Sequence, residues 1–130
     1  MPLVHSTTAR DAATNAVVDL LDAAGSQLVF RVGGTLGAPG AAAATLTMAT
    51  PAFGASSSGT ATAGAITTNT NVAGNASPVT RFSLQTSGAV LHVYGEVAAS
   101  GSDINVTNGL TFASGDTVSC SSLTYTALPT

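Results

Sequence analysis

Phe82-Ser83-Leu84-Gln85-Thr86-Ser87-Gly88-Ala89-Val90-Leu91-His92-Val93-Tyr94-Gly95-Glu96-Val97 is the stretch on which the fold turns. Phe82 and Leu84 share one face of a strand, and Ser87-Gly88 supplies a turn. The chain then returns with Leu91, Val93 and Val97 on one side and His92, Tyr94 and Glu96 on the other. Alternation at period two on both sides of a glycine-containing turn predicts an antiparallel hairpin.

The same period extends in both directions. Upstream, Leu28, Phe30 and Val32 alternate with Val29 and Arg31 until Gly33-Gly34 breaks the strand. Residues 33–44, rich in Gly, Pro and Ala, read as an exposed loop. Leu46 and Met48 alternate with Thr45 and Thr47, and Pro51, with no N–H for a ladder, ends that strand. In residues 59–67 small side chains alternate with Thr, a pattern suited to flat packing, and the polar residues 69–78 read as the longest surface loop. Downstream, Ile104 and Val106 form a short strand, Asn108-Gly109 a turn, and Leu110 and Phe112 continue beyond it. Residues 117–126 read as a long strand between Gly115-Asp116 and Pro129. Seven or eight short strands at intervals of roughly ten residues predict a mainly β fold, an antiparallel β-sandwich or jelly roll.

One segment has a different period. Ala9, Ala12, Ala13, Ala16, Val17, Leu20, Leu21 and Ala24 recur at spacings of three and four, drawing an apolar stripe along a helix over residues 9–24. Thr7 or Thr8 is placed to cap it, Asp11 to sit in its first turn, and Gly25 to close it with a left-handed residue. The stripe is expected to pack on or beside the sandwich. The organisation expected is an extended arm, residues 1–8, and a single domain, residues 9–130.

Composition narrows the function classes. Ala, Thr, Ser and Gly fill 72 of 130 positions, only 7% of residues are charged, and Lys is absent. Soluble domains usually carry about a quarter charged residues. Three dispersed arginines in a chain of net charge −3 cannot neutralise a nucleic-acid backbone, so nucleic-acid binding is excluded. Disorder combines low hydrophobicity with high net charge, the reverse of a mean hydropathy of +0.40. Apart from 24 Ala, only 34 larger apolar side chains remain, which makes a thin core that assembly with other subunits would reinforce. Strand edges with so few charges also need cover, because Lys and Glu are the usual guards against edge pairing.

Motifs for chemistry are sparse. His92 and Glu96, four apart on a strand, lie about 13 Å from each other, too far to share a proton or a metal. Asp103 is the only further member of that titratable cluster, and His5 lies in the arm. Two histidines without a regular acidic partner indicate no metal site, and no cofactor is expected. No Gly-x-Ser-x-Gly elbow or Gly-Lys-Ser/Thr phosphate loop occurs, so no enzyme activity is expected. Cys120 can form no intrachain disulfide and reads as a small strand residue, buried or half-buried. Tyr94 and Tyr125 read as strand residues with buried rings and wet hydroxyls. Asn75-Ala76-Ser77 and Asn105-Val106-Thr107 are glycosylation sequons, relevant only in a secretory context. No secretory signal or membrane span is visible.

Several stretches carry a family resemblance: Leu3-Val4-His5-Ser6-Thr7-Thr8-Ala9-Arg10-Asp11-Ala12, Ala44-Thr45-Leu46-Thr47-Met48 leading to Pro51-Ala52-Phe53-Gly54, Ser58-Gly59-Thr60-Ala61-Thr62-Ala63, and Ser100-Gly101-Ser102-Asp103-Ile104-Asn105. In this order they resemble small structural proteins of tailed bacteriophages, over most of the chain. The resemblance implies a virion component. Among small β-rich virion proteins the commonest role is capsid decoration: a cement protein, often a homotrimer, clamped over joints of the major capsid protein lattice. No catalytic or binding residue carries over from the resemblance. The expected lattice contact is the arm, with Pro2, Leu3, Val4 and His5 as candidate residues. The alternative expectation is a tail or fibre component that binds a host receptor or glycan through residues 33–44 and 69–78.

Overall fold

The computed structural model describes residues 3–75, 77–106 and 109–128. The fold is mainly β with one N-terminal helix: α1 (Thr7–Val18), a 3₁₀ turn (Asp19–Leu21), then β1 (Gln27–Gly34), β2 (Pro39–Thr47), β3 (Thr60–Thr62), β4 (Arg81–Gln85), β5 (Leu91–Ala98), β6 (Ile104–Asn105) and β7 (Thr124–Thr126). Five strands form a curled sheet in the order β2-β1-β4-β5-β6, and β3 pairs with β7 in a separate ribbon. The expected antiparallel pattern needs one correction: β6 runs parallel to β5, Val97 opposite Ile104, so the sheet is mixed.

The β4–β5 hairpin forms where alternation placed it, with Phe82 opposite Gly95 and Leu84 opposite Val93. Its register then jumps, Gln85 facing Leu91, so His92 is an extra residue in a bulge and Leu91 leaves the Val93 side. Gly95 is required by packing, because a Cβ there would run into the Phe82 ring. The core lies on the side of the sheet that carries Leu28, Phe30, Leu46, Phe82, Leu84 and Val97. Facing it are Val18, Leu21, Phe53, Ala61, Val72, Phe112 and Leu123, with Phe30 and Phe112 edge to face at 6.2 Å.

Three strand and loop expectations are corrected. The loop expected over residues 33–44 is largely strand β2, because Thr35 and Ala38 exchange backbone hydrogen bonds of 3.0 and 3.2 Å and close a hairpin. Pairing with β1 then carries the alanine run into the sheet, Val32 opposite Ala41 and Phe30 opposite Ala44. Ala is a poor strand former, and here its neighbour decides. The long strand expected over residues 117–126 shrinks to β7, with an isolated bridge between Asn69 and Val118 before it. Residues 69–78 are not a simple surface loop, since Val72 is buried and its backbone bonds Asp116 and Gly115. The Asn108 half of the expected turn and Pro129 lie outside the described residues.

The helix is also corrected. It begins at Thr7, capped by Ser6, whose Oγ accepts from the Ala9 N–H at 3.1 Å, and it tightens to 3₁₀ after Val18. Asp11 therefore lies beyond the first turn. Gly25 does adopt the left-handed conformation expected of it, φ +85°. The Ser26 hydroxyl satisfies the carbonyls of Leu21 and Ala23.

Candidate functional site

The face of α1 turned inward is not the alanine stripe. Thr14 and Val18 are buried, whereas Ala9, Ala12, Ala16 and Leu20 are exposed, Leu20 to 52%. Polar side chains do the docking. Asp11 Oδ1 accepts from Ser56 Oγ and from the Gly59 N–H, both at 2.7 Å, and Asn15 Oδ1 accepts from the Ser56 N–H at 2.8 Å. Thr14 Oγ1 donates to the Gly59 carbonyl at 2.7 Å and accepts from the Ala127 N–H at 3.1 Å, tying the two ends of the domain together. Positions 11, 14, 15 and 18 share one helical face, so specific hydrogen bonds outweigh a weak stripe of methyl groups. The Ser56 hydroxyl first, and then the Gly59 N–H and the Arg10 charge, hold the Asp11 carboxyl below its ordinary value.

The arm ahead of α1 stands out from this surface. Leu3 and Val4 are 88% and 89% exposed, His5 is exposed, and Pro2 lies outside the described residues. Ser6 has extended backbone, and the arm is shorter than residues 1–8 because the helix starts at Thr7. Leu and Val this exposed ahead of a helix cap form a ready contact for an apolar partner.

The carboxylates of the titratable cluster are engaged in local contacts. Asp103 Oδ2 accepts from the Glu96 N–H at 2.9 Å, and Glu96 reaches Arg81 across the strands at 3.9 Å. No group of three metal-ligating side chains gathers among the described residues, and no helix among them is long and apolar enough to cross a membrane. Tyr94 differs from its expected role: its hydroxyl donates to the Gly33 carbonyl at 2.6 Å and accepts from the Gly40 N–H at 3.2 Å, pinning the base of the β1–β2 hairpin. Tyr125 is half-buried on β7. Cys120 is half-buried but lies outside any strand, and burial pushes its thiol up, away from reactive thiolate.

Two features escaped the sequence reading. Arg31 lies directly opposite Arg81 in the β1–β4 pairing. Like charges so placed repel, and the two side chains diverge. Arg31 donates to Ser83 Oγ, the Gly40 carbonyl and Gln85 Oε1 at 2.8 to 2.9 Å, while Arg81 turns to Glu96. The isolated polar residues of otherwise apolar strands were the available signal. The second is a cleft of about 610 Å³ between β6 and residues 109–124, floored by Phe30 and Phe112 and rimmed by Ser119, Ser121 and Ser122. Its carboxylates are engaged with backbone N–H groups, Asp103 with Glu96 and Asp116 with Ala113, and its described lining includes no imidazole or amine.

Charge distribution completes the surface. From position 32 to position 80, 49 consecutive residues, no side chain is charged, and this span supplies all of β2 and β3. Comparison of the chain with protein-family models, with curated proteins and with solved structures gives no match in any of the three.

Proposed function

We propose that this chain is a non-enzymatic virion structural protein, a capsid decoration or cement protein that binds the major capsid protein lattice on the head and associates with its own copies, as a homotrimer in the form the resemblance implies. The observation that carries the reading is the arm ahead of the helix, with Leu3 and Val4 almost fully exposed. Apolar area left in water is a driving force for association, about 25 cal/mol for every Å² subsequently covered. The uncharged span of residues 32–80 supports the same reading, because it offers surface to a neighbour without ion pairs to desolvate. The packing of the β3–β7 ribbon and residues 109–123 over the curled sheet is read here as a distorted jelly-roll-like sandwich.

Removal of residues 1–5, which leaves the Ser6 cap in place, tests the contact. The truncated protein is expected to keep its far-ultraviolet circular dichroism and to lose at least tenfold in occupancy on undecorated capsids. Full occupancy by the truncated protein would overturn the assignment of the arm. The tail or fibre alternative, with a receptor or glycan as ligand, would put the protein in a few copies at the tail tip.

A further inference from the structure

We propose that α1, the turn at residues 57–60 and strand β7 form one latch, with Thr14 as its catch, and that this latch opens as a unit while the five-stranded sheet stays folded. α1 packs on β3 and β7. Ser57 and Thr60 exchange backbone bonds of 2.9 and 3.1 Å, and between them Ser58 and Gly59 take left-handed φ of +53° and +86°, a two-residue turn whose central polar groups the hairpin does not use. α1 takes three of them: Arg10 Nη1 donates to the Ser58 carbonyl at 3.1 Å, Asp11 Oδ1 accepts from the Gly59 N–H, and Thr14 Oγ1 donates to the Gly59 carbonyl. The same Thr14 hydroxyl accepts from the N–H of Ala127, the residue after β7. One buried hydroxyl thus joins α1 to segments 45 and 113 positions away.

The contacts of these segments are of the kind that open locally. Among the side chains of α1, β3 and β7 only Thr14, Val18 and Ala61 are buried, whereas β4 alone buries Phe82, Ser83, Leu84 and Gln85. The β3–β7 ladder has three residue pairs, and the Thr60 and Thr126 hydroxyls that meet across it at 2.8 Å are exposed. Few buried apolar groups and short, exposed ladders mark segments that open below the stability of the whole fold. Neither end of the chain can leave without breaking the Thr14 bond to the other, which couples the two openings. The pivot is the 3₁₀ turn at Asp19–Leu21, because Leu21 is 1% exposed in the core and Ser26 Oγ holds the Leu21 and Ala23 carbonyls. Opening about it carries the arm, continuous with α1, away from the domain and uncovers the β3 edge that β7 occupied. This inference goes beyond the capsid reading and does not depend on it.

Native-state hydrogen exchange of the full chain at neutral pH, with Thr14→Val and Thr14→Ser variants, tests it. In the wild type, α1 beyond its first turn and residues 124–126 should share one opening constant, about tenfold or more above that of β1 and β4. This comparison does not depend on how the variants fold. Thr14→Val removes the hydroxyl and leaves every β3–β7 ladder bond in place. It should accelerate exchange in α1 and in residues 124–126 by the same factor, about tenfold, with β1 and β4 unchanged. Thr14→Ser restores the hydroxyl and should bring both segments back to within about threefold of the wild type. Unequal opening constants for α1 and residues 124–126 in the wild type, acceleration of only one of the two in Thr14→Val, or equal acceleration of β1 and β4 would each overturn the proposal. Because no capsid is present, these outcomes are separate from success or failure of the arm truncation.

Discussion

The β1–β4–β5 region and the region after β6 both bury phenylalanine and leucine in one core, but they hold their backbones differently. In the first, strands pair in register and side chains alternate, Leu28, Phe82 and Leu84 on the core face and Arg31, Ser83 and Gln85 on the other, where Ser83 and Gln85 are buried as well. In the second, Phe112 and Leu123 reach the core from irregular backbone held by scattered backbone bonds, such as the Asn75 N–H to the Phe112 carbonyl and the Ala63 N–H to the Leu123 carbonyl, and by side chains: Asn75 Oδ1 accepts from the Phe112 N–H, Asn75 Nδ2 donates to the Leu110 carbonyl, and Asp116 Oδ2 accepts from the Ala113 N–H. Ladder bonds repeat along paired strands and reinforce one another, whereas the bonds of the second region are scattered. The sheet should therefore fail globally and the C-terminal region locally.

Leu28→Ala should have the largest effect. Leu28 is fully buried in the central part of the sheet, and truncating such a leucine costs about 2–5 kcal/mol, so chemical denaturation should show a loss in that range with one cooperative transition. A loss below about 1 kcal/mol would mean that the sheet is not the stable unit. Asn75→Ala should come next. It leaves the Phe112 N–H without its partner, at a cost of about 1–3 kcal/mol, while the Leu110 carbonyl keeps the Val79 N–H. Its signature should be faster hydrogen exchange confined to residues 72–75 and 110–116, with β1 and β4 amides unchanged. Uniform acceleration across the sheet would erase the contrast between the two regions.

The helix clamp gives the smallest and most conditional effect. The Asp11 pKa is depressed in the folded chain, so its contribution to stability is fully present above the unfolded value of about 3.9 and is lost as pH falls through the lower folded value. Thermal midpoints should therefore decline more steeply below about pH 4 in the wild type than in Asp11→Asn, with little difference in slope at neutral pH. Equal acid sensitivity in both proteins would remove Asp11 from the docking of α1.

The hairpin of β4 and β5 and strand β1 could be read from the sequence because side chains there alternate at period two, Leu28, Phe30, Phe82 and Leu84 on the core face, although Val29, Ser83 and Gln85 on the other face are buried too. The alanines of β2 and the residues of 117–126 misled for opposite reasons. Ala41 to Ala44 carry no alternation in residue type although they lie in a strand, and 117–126 alternate in type although only 124–126 pair as a strand and isolated backbone bonds hold Val118 and Leu123. The helix was legible as an element but not in orientation, since Asp11, Thr14 and Asn15 bond a loop 40 or more positions away that no local pattern reveals. The arm's place ahead of the helix cap was visible in the sequence, whereas the exposure of Leu3 and Val4 needed the structure.

The central claim, that this chain decorates a capsid, is tested most directly by electron cryomicroscopy of the particles that incorporate it, with copy number from quantitative mass spectrometry. The account predicts hundreds of copies on the outer surface of the head, arms seated on the coat lattice. A few copies at the tail tip, or absence from purified particles, would contradict it.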